Sequence, residues 1–158
     1  MSKNIHSFIV LVGLPGVGKS TYINNNKNPN ALVLSTDAIV EKMCISQGIT
    51  YTQGFRLFID EAIKRFNKQL TIALKNNNDI IIDRTNLSRA SRKRLMSQVP
   101  NNYSKYAYYF PIPEKDEWHR RLASRPDKHI PQNVIDDMIN SFNFPEKEEG
   151  FDAIFTIA

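Results

Sequence analysis

A parallel α/β fold, with a central sheet covered by helices on both faces, is the class the sequence predicts, on three observations. Short apolar runs rich in Val, Ile and Leu alternate along the chain with stretches of helical period. The first runs are apolar at successive positions rather than alternate ones, as strands buried on both faces are. The first run breaks into glycines and the next two end in short polar clusters, so these strands stop at abrupt turns.

Each element follows in order. Ser7–Val12 (SFIVLV) reads as the first strand, and a helix is expected from Lys19. Asn24–Asn30 (NNNKNPN) is rich in turn formers and closes that helix. Ala31–Ser35 (ALVLS) is a second strand, and Thr36 or Asp37 suits the N-cap of the helix that starts at Ala38-Ile39-Val40-Glu41. From Gly54 to Leu74, the apolar Phe55, Phe58, Ile59, Ala62, Ile63, Phe66, Leu70 and Ala73 repeat at the period of one long amphipathic helix. Asn76–Asp79 (NNND) turns out of it into a third strand, Asp79–Asp83 (DIIID). A basic helix over Ser88–Val99 and a fourth strand over Tyr103–Phe110 come next. Glu114–Ala123 is a short helix, Pro131 opens another that runs to about Phe142, and Ala153–Ile157 (AIFTI) is a fifth strand. The strand tyrosines Tyr103, Tyr106, Tyr108 and Tyr109 read as packing against flanking helices rather than as a base-stacking platform.

The 158 residues predict a single domain over 1–158, 41% hydrophobic and 23% charged. A net charge of +5 permits an anionic partner without demanding one. The lone Cys44 excludes an internal disulfide and a cysteine-rich metal cluster, and reads as a buried or half-buried thiol in a reducing compartment. His119 and His129 make poor metal ligands without partners. The N-terminal apolar run flows into the glycines with no signal-peptide pattern, and nothing later is long enough to span a membrane. A cytoplasmic protein is expected.

Chemistry begins at Gly13-Leu14-Pro15-Gly16-Val17-Gly18-Lys19-Ser20, which fits G-x-x-x-x-G-K-[ST] at every fixed position. Glycines let successive backbone N–H groups turn inward around an anion, and the following helix points its positive end there. Lys19 would reach the β- and γ-phosphates, and the Ser20 hydroxyl would sit on Mg²⁺. The plain alternative is a glycine-rich turn with a solvated lysine, which leaves the full pattern directly after a strand unexplained. The expectation is therefore a P-loop NTPase-type three-layer sandwich that binds ATP through Gly13, Pro15, Gly16, Val17, Gly18, Lys19, Ser20 and Thr21.

In such sheets ligands sit at the C-terminal strand ends. Asp37, just after the second strand, suits either a helix cap or the base that takes a proton from an attacking hydroxyl, and one residue can do both. Asp83, closing the third strand, resembles the position that holds Mg²⁺ directly or through water. The segment Arg120-Arg121-Leu122-Ala123-Ser124-Arg125-Pro126-Asp127-Lys128-His129 is either a solvated surface or a basic lid over phosphates.

Together these residues resemble the kinase domain of the polynucleotide 5′-hydroxyl kinases, phage and eukaryotic end-healing alike. The resemblance spans nearly the whole chain. It rests on Gly13–Thr21, on Thr36-Asp37, on Asp83–Leu95 (DRTNLSRASRKRL), and on the tail from Ser124 to Phe155. It implies that Asp37 is the general base, that Arg125 and Arg121 serve the ATP phosphates from a lid, and that Lys19 is catalytic. It also places Asp83, Thr85 and Asn86 in the family's active-site segment and Arg92 in the helix beside it; with Arg84 these are the expected substrate-binding residues, and Ser20 and Asp83 the expected metal residues. The phosphate-loop strand is expected mid-sheet, beside a groove for the acceptor strand. Two departures stand out. Where relatives carry an arginine or another polar residue beside the catalytic Asp or one turn later, this chain has Thr36 and Val40. Arg56, Arg84, Arg89 or Arg92 could replace that grip. The length also leaves no room for the phosphatase or ligase domain often fused in relatives.

The leading expectation is transfer of the γ-phosphoryl of ATP to the 5′-OH end of DNA or RNA. The runner-up is a small-molecule kinase acting on a sugar acid, an antibiotic hydroxyl or a nucleotide. A nucleotide-binding module without catalysis would be favoured only if Asp37 and Arg125 were absent.

Overall fold

Strand order decides where a site can form. The computed structural model describes residues 6–26, 28, 30–126 and 128–158. Its strands are β1 (His6–Val12), β2 (Ala31–Leu34), β3 (Asp79–Ile82), β4 (Tyr103–Tyr109) and β5 (Ala153–Thr156). They form one parallel sheet in the order β2-β3-β1-β4-β5. The strand that leads into the glycine loop therefore lies in the middle, with β3 on one side and β4 on the other.

Successive side chains of β1 enter opposite layers, which is why the run is apolar throughout. Phe8, Val10 and Val12 pack with Phe66 and Leu70 of α3 (Tyr51–Lys75) and with Leu95 and Met96 of α4 (Arg89–Met96). Leu11 faces the other layer, beside Ile23 of α1 (Lys19–Asn25), Trp118 of α5 (Lys115–Ala123) and Ile135 of α6 (Gln132–Ser141). Burying a large apolar side chain of this kind stabilises the fold by about 1.5–3 kcal/mol.

A third, smaller cluster joins α3 to α2 (Thr36–Gln47) through Val40, Cys44 and Ala62. Here two local readings change. α3 starts at Tyr51 rather than Gly54 because Thr50 and Gln53 form a reciprocal capping box, with hydrogen bonds of 3.2 and 2.9 Å. Gly54 then lies inside the first turn, where a Cβ would come within 2.3 Å of the Cys44 sulfur. Only glycine lets the two helices approach this closely. The cap of α2 is neither Thr36 nor Asp37: Ser35 Oγ accepts the hydrogen bond from the Ala38 N–H at 3.1 Å.

Other boundaries differ by one to three residues, and a 3-10 turn at Lys147–Glu149 precedes β5. Of the turn expected at Asn24–Asn30, residues 27 and 29 lie outside the described residues. The β4 tyrosines pack on other aromatics: Tyr103 on Phe8, Tyr106 and Tyr108 on Phe155, and Tyr109 on Phe142. Among the described residues, no helix is long and apolar enough to cross a membrane.

Candidate active site

Because β2, β3 and β1 are parallel neighbours, the segments that follow them emerge along one edge. A cavity of about 340 Å³ opens there, and Ser20, Asp37, Glu41, Asp83, Arg125 and Lys128 line it.

The glycine loop is held from both sides. The Gly13 N–H donates to the Thr85 carbonyl at 3.0 Å, and Trp118 Nε1 donates to the Pro15 carbonyl at 2.8 Å. Gly16 and Gly18 have φ of 76° and 102°, a left-handed backbone that favours glycine. α1 begins directly after Gly18 with no acidic residue in its first turn, so nothing there opposes an anion. Lys19 Nζ donates to the carbonyls of Gly13 and Leu14 at 2.6 and 2.7 Å. Burial lowers its pKa from 10.5 to about 8, against the opposing pull of Asp83 and Asp37.

Asp83 is pushed above the ordinary carboxylate value by burial, while Lys19 beside it works the other way. Ser20 and Asp83 supply two hard oxygens to the cavity, a set that suits Mg²⁺, which takes one or two protein oxygens and completes its shell with water and phosphate. Among the described residues, no group of three or more His, Cys, Asp or Glu side chains could hold a metal alone.

Asp37 stands in the first turn of α2, and with Ser35 as cap its carboxylate has other partners. Tyr51 Oη donates to Asp37 Oδ1 at 2.7 Å. Sequence reasoning did not single out Tyr51; Thr50-x-x-Gln53 was the signal that would have set it at the start of α3. On the other wall, Arg125 presents a buried Nη1 with no hydrogen-bond partner among the described residues. Arg121 lies against Gly18, its Nη1 3.8 Å from where a Cβ would be, and pairs with Glu117 at 2.8 Å. Of the basic segment Arg120–His129, residue 127 lies outside the described residues. Lys128 pairs with Glu41, and its Nζ sits 4.8 Å over the Tyr51 ring.

The arginines after β3 separate into two groups. Arg92 is fully buried and is not available to an acceptor: Nε and Nη2 meet Glu149 at 2.8 and 3.1 Å, and Nη1 donates to the carbonyls of Asn86 and Leu87. Arg89 pairs with Glu146. Asn86 is also structural, since its amide donates to the Leu11 and Arg84 carbonyls and ties the β3 loop to β1. Thr85 contributes its backbone carbonyl to the glycine loop. Arg84, by contrast, lies 4.7 Å over the Phe66 ring, and its charged neighbours are Arg94 and Asp37. Burial, then Arg94, holds its pKa below the ordinary arginine value. Among the described residues, no carboxylate forms an ion pair with Arg84, Arg94 or the exposed Arg56.

Arg92→Ala is accordingly expected to destabilise the fold by about 3–5 kcal/mol, because it strands the buried Glu149 carboxylate. Burial pushes that carboxyl up, and hydrogen bonds from Arg92 and the Glu146 backbone more than offset this, leaving it below the ordinary value. Its contribution is therefore present at neutral pH and lost as pH falls through the lowered folded value. Urea unfolding measures both effects; an unchanged midpoint with a raised KM for acceptor would return Arg92 to the site.

An L-seryl-tRNA(Sec) kinase of Methanococcus maripaludis is 28% identical to this chain over 150 residues, which cover 91% of this chain and 55% of that protein. The chain thus spans about half the length of that relative. Among solved structures, the Pnkp1/Rnl/Hen1 RNA repair complex contains a similar fold (TM-score 0.69, 22% identity, 93% of this chain and 46% of that one). So does a gluconokinase from Sinorhizobium meliloti 1021 (TM-score 0.55, 16% identity, 99% and 83%). At these structural identities the likeness is one of fold. The AAA domain family AAA_33 matches residues 8–145, and with its glycine loop and mid-sheet β1 this chain belongs to that family as a P-loop kinase domain.

Proposed function

We propose that this chain transfers the γ-phosphoryl group of ATP to the 5′-hydroxyl end of a nucleic acid, DNA or RNA. The observation that carries the reading is the charged neighbourhood of Arg84, which holds both Asp37 and Arg94. Asp37, a carboxylate able to take a hydroxyl proton, and Arg94 are both charged neighbours of Arg84, and neither arginine forms an ion pair with a carboxylate among the described residues. An acceptor hydroxyl followed by a phosphodiester chain matches that arrangement, one group facing the base and the other the guanidinium forks. The relative at 28% identity is named for an acceptor carried on a tRNA, which supports a polynucleotide-linked hydroxyl.

In this reading the backbone N–H groups of Gly16, Gly18 and Lys19 cradle the phosphates, and Lys19 exchanges its two carbonyl partners for phosphate oxygens. Ser20 and Asp83 hold Mg²⁺, which when bound neutralises charge on the β- and γ-phosphates. Asp37 accepts the proton of the attacking hydroxyl. Arg125, whose Nη1 has no hydrogen-bond partner among the described residues, faces the charge that spreads over the phosphoryl oxygens, so Arg125→Ala should depress kcat more than ATP affinity.

A second reading, a sugar or other small-molecule kinase, draws on the similar fold of the gluconokinase (TM-score 0.55, 16% identity). Radiolabelled ATP offered with 5′-OH DNA, 5′-OH RNA and a panel of sugar acids and nucleosides separates the two. The oligonucleotides should be phosphorylated, with a KM that rises with salt and rises further in Arg84→Ala or Arg94→Ala. A sugar acid or nucleoside used as well as an oligonucleotide, with no salt effect, would overturn the reading.

A further inference from the structure

Tyr51 reaches Asp37, which lines the cavity, from a different element, and nothing in the reaction outlined above uses it. Its hydroxyl donates to Asp37 Oδ1 at 2.7 Å. Its hydroxyl stays protonated throughout the working pH range, because burial, then the Asp37 charge and hydrogen bond, raise its pKa far above the ordinary tyrosine value. It is a permanent donor. The ring is held in turn: Lys128 Nζ lies 4.8 Å over its face while pairing with Glu41, one turn beyond Asp37 on α2. Phe55 packs on it at 5.7 Å between centroids. The Thr50–Gln53 capping box fixes the start of α3 and so sets where Tyr51 begins its reach.

A carboxylate in the first turn of a helix can rotate, and a base whose angle varies loses much of the advantage of proximity. We propose that Tyr51 is a positioning residue for Asp37: its hydroxyl fixes Oδ1 so that Oδ2 meets the acceptor hydroxyl. The proton of that hydroxyl then passes to Oδ2 as its oxygen bonds to the γ-phosphorus. The bond between that phosphorus and the β–γ bridging oxygen breaks, and ADP leaves with the electron pair. The inference rests on Asp37 being the base in the proposed function.

The test is a double-mutant cycle on kcat, with wild type, Tyr51→Phe, Asp37→Ala and the pair. It is read both on a 5′-OH oligonucleotide and on slow transfer from ATP to water. Tyr51→Phe should lower kcat about ten- to a hundredfold in the wild-type background, as loss of a hydrogen bond to a charged group does, with KM for ATP unchanged. In the Asp37→Ala background it should change kcat less than twofold. An equal loss in both backgrounds, no loss, or a change confined to KM for ATP would overturn the proposal. If the oligonucleotide is not phosphorylated at all, the substrate reading fails, and the water reaction still decides the coupling. Should Tyr51→Phe melt early, Lys128→Met decides instead. It keeps the Tyr51 hydroxyl and frees its ring, and its loss in kcat should likewise vanish in Asp37→Ala; a loss that persists there overturns the proposal.

Discussion

Asp37→Asn is expected to bind ATP nearly as well as the wild type and to transfer its phosphoryl group about two to four orders of magnitude more slowly. The amide cannot take the acceptor proton, while the glycine loop, Lys19 and Arg125 are untouched. Stability should barely move, because Ser35, not Asp37, caps α2. That separates this variant from a cap mutant, which would lose about 1 kcal/mol and keep its turnover. Single-turnover kinetics together with a thermal melt on one preparation checks both halves. A full rate in the variant would remove Asp37 from the chemistry.

Lys19→Met should abolish most phosphoryl transfer, and its pH behaviour supplies an independent readout. Burial brings the Lys19 pKa down from 10.5 to about 8. Between those values the unfolded chain holds a proton that the folded protein has released, so stability rises with pH across that window. Below pH 8 the whole cost of the buried charge is present, on the order of 3 kcal/mol. Lys19→Met should therefore melt higher than the wild type at pH 7 and lose the upward slope above pH 8. Bound phosphates favour the ammonium, so ATP binding above pH 8 must take up a proton, and affinity should fall by up to about tenfold per pH unit there. Calorimetry in buffers of different ionisation heat measures that uptake. A flat affinity from pH 7 to 10, or wild-type transfer in the variant, would detach Lys19 from the phosphates.

The parallel sheet and its phosphate loop were legible because both are written in contiguous residues. A strand buried on two faces is apolar at every position, and Gly13–Ser20 needs only its own backbone to curl around an anion. The same locality placed Asp37 and Asp83 at one edge, since parallel strands present their C-terminal ends together. Even the true start of α3 was local, in Thr50-x-x-Gln53, although the hydrophobic period alone concealed it.

Which arginine does what was not local. Arg84, Arg89, Arg92 and Arg94 follow one strand with the same chemistry, all within eleven residues. Arg89 and Arg92 are claimed by Glu146 and Glu149, 57 residues further on, where the chain returns after α6 to the start of α4. Arg84 and Arg94 form no such ion pair among the described residues. Tyr51 likewise meets Asp37 only because α2 and α3 close on each other where Gly54 has no side chain. Residue type and spacing set the kinds of group at this edge. Long-range ion pairs and helix packing, which depend on where the chain comes back, decided which of them are held by a partner.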